Sequence, residues 1–478
     1  MRQKRTAQAT IYEVFCDHEL GRELQSMSEW LDAHRSVLTA VMNDLCRLGL
    51  KPTGRCGLSA ESVLRCAVLK QHRQVSYDDL AFYLRDSASF QAFARLPMHW
   101  CPKKSALQHV IAAIEPSTWE LINRALMKTA AATRIEPAQR IRIDSTVTDS
   151  PIHAPSDSHL LWDGVRVMVR LLKAARALPG APRVTFVNHS RVAKKRAQAL
   201  WYTRGTSKRA PLYRDLIAVT RSTLASLTQL RERLSAEWVW SVEMIGWSTQ
   251  VRHYETLILQ VISQTERRVF NGEVVPAGEK IVSLFEPHTD IIVKGRREVQ
   301  YGHKLNLVSG RSGLILDAVI EAGNPVDSQR FMPMLERHQA HYGTMPRQVA
   351  TDGGYATAAN LADAKDAGVE DVAFHKKRGL AIADMVKSPS VYRRLRNFRA
   401  GIEAGISCLK RAYGLARCTW KGLPHFEAYV WSSVVAYNLS LLARYRLQQR
   451  HCRPLHVAFG SRRTGRCTTA PHATLYCA

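Results

Sequence analysis

The feature that most narrows the fold is a change of texture at Arg140. Arg140-Ile-Arg-Ile-Asp144-Ser-Thr-Val147 alternates apolar and polar residues and is rich in β-branched types, as a strand is. Strands resume at Tyr301–Val308 and Gly313–Ile320, joined by Ser309-Gly-Arg-Ser-Gly313, a glycine-containing turn suited to a hairpin. Asn324-Pro325 marks a turn, Asp327 or Ser328 can cap a helix running to about His341, and Gln348–Thr351 is another strand, ended by Asp352-Gly-Gly354. Ala356–Ala367 reads as a helix closed by Gly368, Val369–Phe374 as a short strand, and Leu395–Tyr413 and Leu423–Leu447 as long helices. Between the first strand and the second, from about Ser156 to Val275, the pattern is helical. Without that segment the order is strand, strand, strand, helix, strand, helix, strand, helix. Such an order specifies an α/β architecture, a mixed sheet flanked by helices.

That order is the one of a ribonuclease H-like (RNase H-like) fold with a large helical insertion after its first strand. Ahead of it, residues 1–55 hold short helical stretches, and 58–134 read as a small all-helical domain. Apolar-periodic helices are expected at Ser59–Gln71, Ser76–Leu84 and Ser87–Ala94. Box-like N-terminal starts stand at Ser76…Asp79, Ser105…Gln108 and Ser117…Glu120. A chain of 478 residues is too long for one compact core. The expected division is a helical N-terminal domain over 1–135, an RNase H-like domain over 136–445 carrying the insertion at 156–278, and a basic, flexible tail over 446–478. DNA contact and plain helical packing both account for the short N-terminal helices.

Composition bears on the partner. The formal charge is +27 with a pI near 10.0, a field that favours a polyanion and speeds encounter with it. Nucleic acid is the first expectation and an anionic membrane surface its competitor. No run of about 18 apolar residues occurs and no signal-peptide core follows Met1, so a cytoplasmic protein is expected. Ten cysteines without a Cys-x-x-Cys pair read as reduced, mostly buried thiols. The spacing of Cys452, Cys467, His472 and Cys477 matches no standard zinc site.

The chemistry points to carboxylates. Arg399, Glu403 and Lys410 are offset by four and seven residues, which puts Arg399 about 40° and Lys410 about 20° from Glu403 around a helix. An i,i+4 ion pair on a solvated helix explains Arg399 and Glu403 alone. It explains neither Lys410 nor the two aspartates upstream. Asp144 is expected to end the first strand and Asp352 the fourth, where backbone gives way to loop. Gly353 and Gly354 would let a ligand or metal approach the backbone. Three carboxylates converging at one sheet end suit two Mg²⁺ or Mn²⁺ ions about 4 Å apart, which serve phosphodiester displacement. No Gly-rich phosphate loop accompanies them, which argues against ATP-driven chemistry.

Asp144, Asp352 and Glu403 in this element order resemble the DDE triad of bacterial insertion-sequence transposases. The Arg399…Glu403…Lys410 spacing resembles the Arg-(3)-Glu-(6)-Lys part of the signature around the last acid, with Arg396 where that signature has tyrosine. Phe398–Arg417 with Thr419-Trp-Lys-Gly422 is similar to the family's third-acid block, and residues 58–130 to its helical N-terminal domain. The resemblance spans about 58–445. It implies an enzyme that cuts DNA at mobile-element ends and transfers the strand into target DNA, with Asp144, Asp352 and Glu403 as catalytic metal ligands. Arg399 and Lys410 would contact phosphates. The partners it implies are double-stranded DNA, as terminal inverted repeats and target, and further copies of the chain on DNA in the bacterial cytoplasm. A nuclease of the same fold without strand transfer, and a non-catalytic transposase-derived DNA-binding protein, are the alternatives.

Other residues offer themselves. Asp149, His153, Asp157 and Asp163 follow the first strand and read as caps and turn of the helix starting near Ser156. His303 beside Lys304 can touch DNA or simply occupy an exposed strand face. Lys194-Lys195-Arg196 with Trp201, Tyr202, Arg204, Lys208 and Arg209 mixes cations with rings, as strand-end binding does. Lys376, Lys377 and Arg378 form a phosphate-contacting or plain surface loop. Glu370 and Glu427 compete with Glu403 by position, but Glu370 lacks a cationic face and Glu427 lies in a more aromatic helix.

Overall fold

The structure, a computed structural model, describes residues 4, 15, 17–47, 57–97, 100–178, 184–237, 241–294, 298–376 and 378–451. The helices of the N-terminal part are α1 (Glu19–Ala33), α2 (Val37–Cys46), α3 (Ala60–Arg73), α4 (Tyr77–Asp86), α5 (Ala88–Phe93), α6 (Lys104–Ile111) and α7 (Pro116–Ala132). Strand β1 (Arg140–Asp149) leads into α8 (Asp157–Ala175), α9 (Ser190–Tyr202), α10 (Thr206–Glu237) and α11 (Val242–Val269). Then come β2 (Asp290–Lys294), β3 (Glu298–Ser309), β4 (Ile315–Ile320), α12 (Asp327–Tyr342), β5 (Gln348–Thr351), α13 (Ala358–Asp366) and β6 (Asp371–Phe374). A short α14 (Ile382–Met385) precedes the long α15 (Pro389–Ala412) and α16 (Leu423–His451).

Six strands form one mixed sheet in the order β2-β3-β1-β5-β6, with β4 also paired to β3. Antiparallel β3 and β4 are the expected hairpin, and the β1–β5 and β5–β6 pairs are parallel. Setting β2 aside, this is the RNase H-like arrangement, with the helical insertion between its first two strands. β2 was not among the expected strands. Its core, Ile-Ile-Val, is a short apolar run without alternation, which periodicity alone cannot assign to a strand.

Two compact units divide the chain. The first comprises residues 1–148, 304–321 and 325–478, the second 149–303 and 322–324. Each has its own apolar core. In the second, Leu161, Val165, Met168, Leu216, Val251 and Ile258 knit α8, α10 and α11 together. In the first, α16 packs on α1, α3, α7 and β4, so the last described helix meets the N-terminal helices directly. Polar bonds fix that packing: Gln71 Nε2 donates to Tyr413 O and Ser433 Oγ at 2.8 and 2.6 Å.

Helix starts follow local chemistry, with three departures from expectation. Ser76 and Asp79 make the reciprocal capping box at α4, and Ser59 and Ser87 cap α3 and α5. Ser105 and Ser117 instead lie inside α6 and α7, whose N-caps are Lys103 and Glu115. Pro116 opens α7 at the first helical position, where its missing N–H costs nothing. Neither Asp327 nor Ser328 caps α12; Val326 holds that position and Asp327 Oδ1 lies 2.6 Å from Lys304 Nζ.

Asn438 is the polar lock between α16, α7 and the sheet. Fully buried, its Oδ1 accepts from Ile315 N at 2.8 Å while Nδ2 donates to Ile315 O and Asn123 Oδ1, both at 2.7 Å. Asn438→Ala strands these partners away from water. It should lower the unfolding free energy in urea by about 2–4 kcal/mol, and a loss below about 0.5 kcal/mol would contradict the role.

Candidate active site

The β1–β5 pairing runs from Arg140↔Gln348 to Ile143↔Thr351. Asp144 and Asp352 are the next residues on the two strands, so parallel register alone sets their backbones side by side at one sheet end. β1 itself continues to Asp149, so Asp144 lies within the strand rather than at its end. What ends there is β5, and the departure of its chain opens the space that the two carboxylates share.

Helix α15 brings the third acid across this end. Arg142, two residues before Asp144, docks the helix: Nη1 donates to Phe398 O at 2.7 Å and Nε to Ser309 Oγ at 2.7 Å. Gly401 admits it, since a Cβ at that position would collide with the Arg142 guanidinium. Arg142 was not read from the sequence. The clues were an arginine between two buried isoleucines and a glycine inside an amphipathic helix.

Arg399 is the hub. Its Nη1 donates to Glu403 Oε1 at 2.6 Å and its Nη2 to Asp144 Oδ2 at 3.0 Å, while Asp352 Oδ1 lies 3.9 Å from Nη2. One guanidinium therefore gathers the three predicted acids. Their side chains grade from 14% exposed for Asp144 through 43% for Asp352 to 62% for Glu403. Asp144 also accepts from Ser145 N at 2.8 Å. Burial holds its carboxyl above the ordinary aspartate value, against the pull of Arg399 and with the push of Asp352 and Glu403.

The cations expected around the acids divide. Lys410 is half-buried, two turns along α15 from Glu403. Lys376 and Arg378 are exposed beyond β6, and Lys376 backs directly onto Gly353, where a Cβ would fall 2.6 Å from its own Cβ. A Cβ on Gly354 would fall 2.7 Å from Asp327 Oδ2. These glycines thus make room for Lys376 and Asp327, which corrects the expectation that they admit a ligand. Lys377 lies outside the described residues, as do Cys452, Cys467, His472 and Cys477. Lys194 and Lys195 are exposed on α9 in the second unit, where Arg196 pairs with Asp215 at 2.6 Å. Trp201 and Tyr202 are exposed there too. His303 is not on an exposed face: it is buried, 2.8 Å from His288 Nδ1 and 3.0 Å from Asp290 Oδ2. Lys304 is likewise buried and donates to Pro325 O. Ser156 caps α8, and Asp157 is tied to Arg268 at 2.8 Å.

A second group has the tighter ligand geometry. Among the described residues, only Glu120, Asp317 and His341 bring ligand atoms within 4.8 Å of one another. Arg337 already bonds both carboxylates, at 2.8 and 2.9 Å to Asp317 and 3.2 Å to Glu120, and Arg124 bonds Glu120 at 2.7 Å. Two guanidinium groups neutralise two acids there, so the cluster reads as an ion-pair network joining α7, β4 and α12. The acids around Arg399 differ: three hard-oxygen donors share one cation, a donor set that fits a divalent metal ion.

Replacing Arg399 by glutamine removes the one cation that opposes burial at Asp144. The Asp144 carboxyl should then titrate at higher pH still, seen as a shifted side-chain ¹³C titration; an unchanged midpoint would contradict this electrostatic picture.

No curated protein and no solved structure matches the chain. Residues 288–439 match the family described as the transposase DDE domain, a span that starts after Asp144 and takes in Asp352, Arg399, Glu403 and Lys410. With the RNase H-like sheet and the acids gathered at its end, residues 288–439 are the DDE domain of a transposase of insertion-sequence type.

Proposed function

We propose that the chain cuts DNA at the ends of a mobile element and joins the freed 3′-hydroxyl to target DNA, both reactions in one acidic site. The observation that carries this reading is the convergence of Asp144, Asp352 and Glu403 on the Arg399 guanidinium. Asp144, Asp352 and Glu403 would hold Mg²⁺ or Mn²⁺, two ions in all, whose chemistry is to activate the attacking oxygen and stabilise the leaving one.

The chain's own groups do the rest. Exposed Glu403 and half-buried Asp352 face the solvent from which DNA arrives, while the less exposed Asp144 carboxylate is fixed by Ser145 N and Arg399. Arg399 and Lys410 neutralise phosphate charge near the scissile bond, and Lys376, Lys377 and Arg378 extend that contact beyond β6. The N-terminal helical domain, residues 1–135, grips element DNA. The insertion at 156–278 adds strand contact through Lys194, Lys195, Arg196, Trp201 and Tyr202, and the basic residues of 446–478 add non-specific attraction. Copies of the chain act together on paired ends in the bacterial nucleoid. No helix among the described residues is long and apolar enough to cross a membrane.

The test is Mg²⁺-dependent cleavage and joining on DNA that carries the element's terminal repeats. Asp352→Asn should lower cleavage by about a thousand-fold or more while leaving end binding intact. Cutting without joining in the unaltered protein would favour a nuclease, and binding without cutting a DNA-binding relative; either result overturns the proposal.

A further inference from the structure

A second concave site lies in the first unit, well along α15 from the acids. The end of α3, the start of α4, α6 and the segment between α15 and α16 enclose a cavity of about 730 Å³. Its walls include Lys70, Tyr77, Gln108, Trp420, Lys421 and His425, and no aspartate or glutamate lines it. Local backbone chemistry builds it. α3 ends on Gln74 in the left-handed region, with φ of 53°, and Gln74 N and Val75 N both donate to Lys70 O. The chain thereby turns at once into α4, whose Tyr77 closes over the Lys70 side chain.

Two donors of its lining residues lack an acceptor among the described residues. Lys70 is 7% exposed, and its Nζ makes no ion pair with an acid and no hydrogen bond among the described residues. Its Nζ lies 4.8 Å from the Tyr77 ring centre and 6.0 Å from that of Trp420. Trp420 is 8% exposed, and its Nε1 is buried with no partner. An ammonium removed from water demands a counter-charge, and ring faces recover only part of the loss. Burial lowers Lys70 to about 8, which still leaves it largely protonated at neutral pH. Lys421 and His425, both exposed, keep the rim basic or neutral.

Cation–π packing alone would hold Lys70 against Tyr77. It would not leave the Trp420 N–H unmet beside it, nor clear every acid from the walls. Donors without acceptors specify an anion, and Tyr77, Trp420 and Tyr429 add aromatic surface, Trp420 and Tyr429 packed edge to face with centroids 5.6 Å apart. We propose that this cavity takes one nucleotide, its phosphate on Lys70 Nζ and Trp420 Nε1 and its base against that aromatic surface. The nucleotide belongs to an unpaired DNA strand or is free in solution. Only the first source rests on the reading of the chain as a DNA-cutting enzyme.

The test is calorimetric titration of the full-length protein with dTMP, thymidine, inorganic phosphate and a short oligothymidylate. dTMP should bind at least about ten-fold more tightly than thymidine or phosphate alone. Lys70→Met should weaken dTMP by about ten-fold or more, and Trp420→Phe, which keeps the ring and removes the N–H, by about three-fold or more. Thermal melting should be unchanged in Trp420→Phe, which guards against a folding defect in Lys70→Met. An oligothymidylate affinity that falls with Lys70→Met identifies the strand as the source; one that does not, with dTMP still sensitive, identifies the free nucleotide. Equal dTMP binding by all three proteins, or phosphate binding as tightly as dTMP, overturns the assignment. Asp352→Asn should bind dTMP normally, so failure of this pocket and failure of the cleavage reading are read separately.

Discussion

Four backbone pairings carry the acidic site. The parallel register from Arg140↔Gln348 to Ile143↔Thr351 fixes where Asp144 and Asp352 stand, because in a sheet a slip of one residue turns every side chain to the other face. The register is itself well determined. Ile141, Ile143, Val349 and Ala350 are fully buried, so a slipped pairing would expose the core of the first unit. The two aspartates, 208 positions apart in the chain, are neighbours for that reason.

The third acid depends on charge rather than on sheet register. Arg142 holds α15 down by a carbonyl of its own backbone, and Arg399 then reaches all three carboxylates from that helix. Three acids at such range repel one another, and without a cation among them the cluster would protonate or spread. The guanidinium is thus part of what keeps the acids together. It is also rigid and planar, so a lysine would not reproduce the arrangement. The Glu120–Asp317–His341 cluster shows the contrast: there two arginines neutralise two acids, as in an ion-pair network.

Much of this was legible because local signals and global fold agree. β-branched alternation marked β1, Gln348–Thr351 was a strand within the expected bounds, and the glycine turn at 309–313 gave the β3–β4 hairpin. Glu403 and Arg399 could be set on one helix face because a helix period is regular enough to count along. Other features are tertiary and left weaker traces. That β1 outruns β5, and so leaves Asp144 inside a strand, depends on where its neighbours end. The burial of His303 and Lys304 depends on partners such as Asp290 and Asp327, several elements away or across a turn. Gly353 and Gly354 were read as places for a ligand or metal to approach; the groups that do approach, Lys376 and Asp327, could be named only in three dimensions. Lys70 is one cation among many on a basic chain, and its burial without an acid is visible only in the fold.

The claim on which the rest stands is that Asp144, Asp352 and Glu403 form one metal-binding centre. Anomalous diffraction at the manganese edge, from crystals of the full-length protein grown with Mn²⁺, tests it most directly. The expected result is anomalous density between Asp144 and Asp352, with Glu403 drawn toward it and Arg399 displaced. Density at Glu120, Asp317 and His341 with none near Asp144 would contradict it.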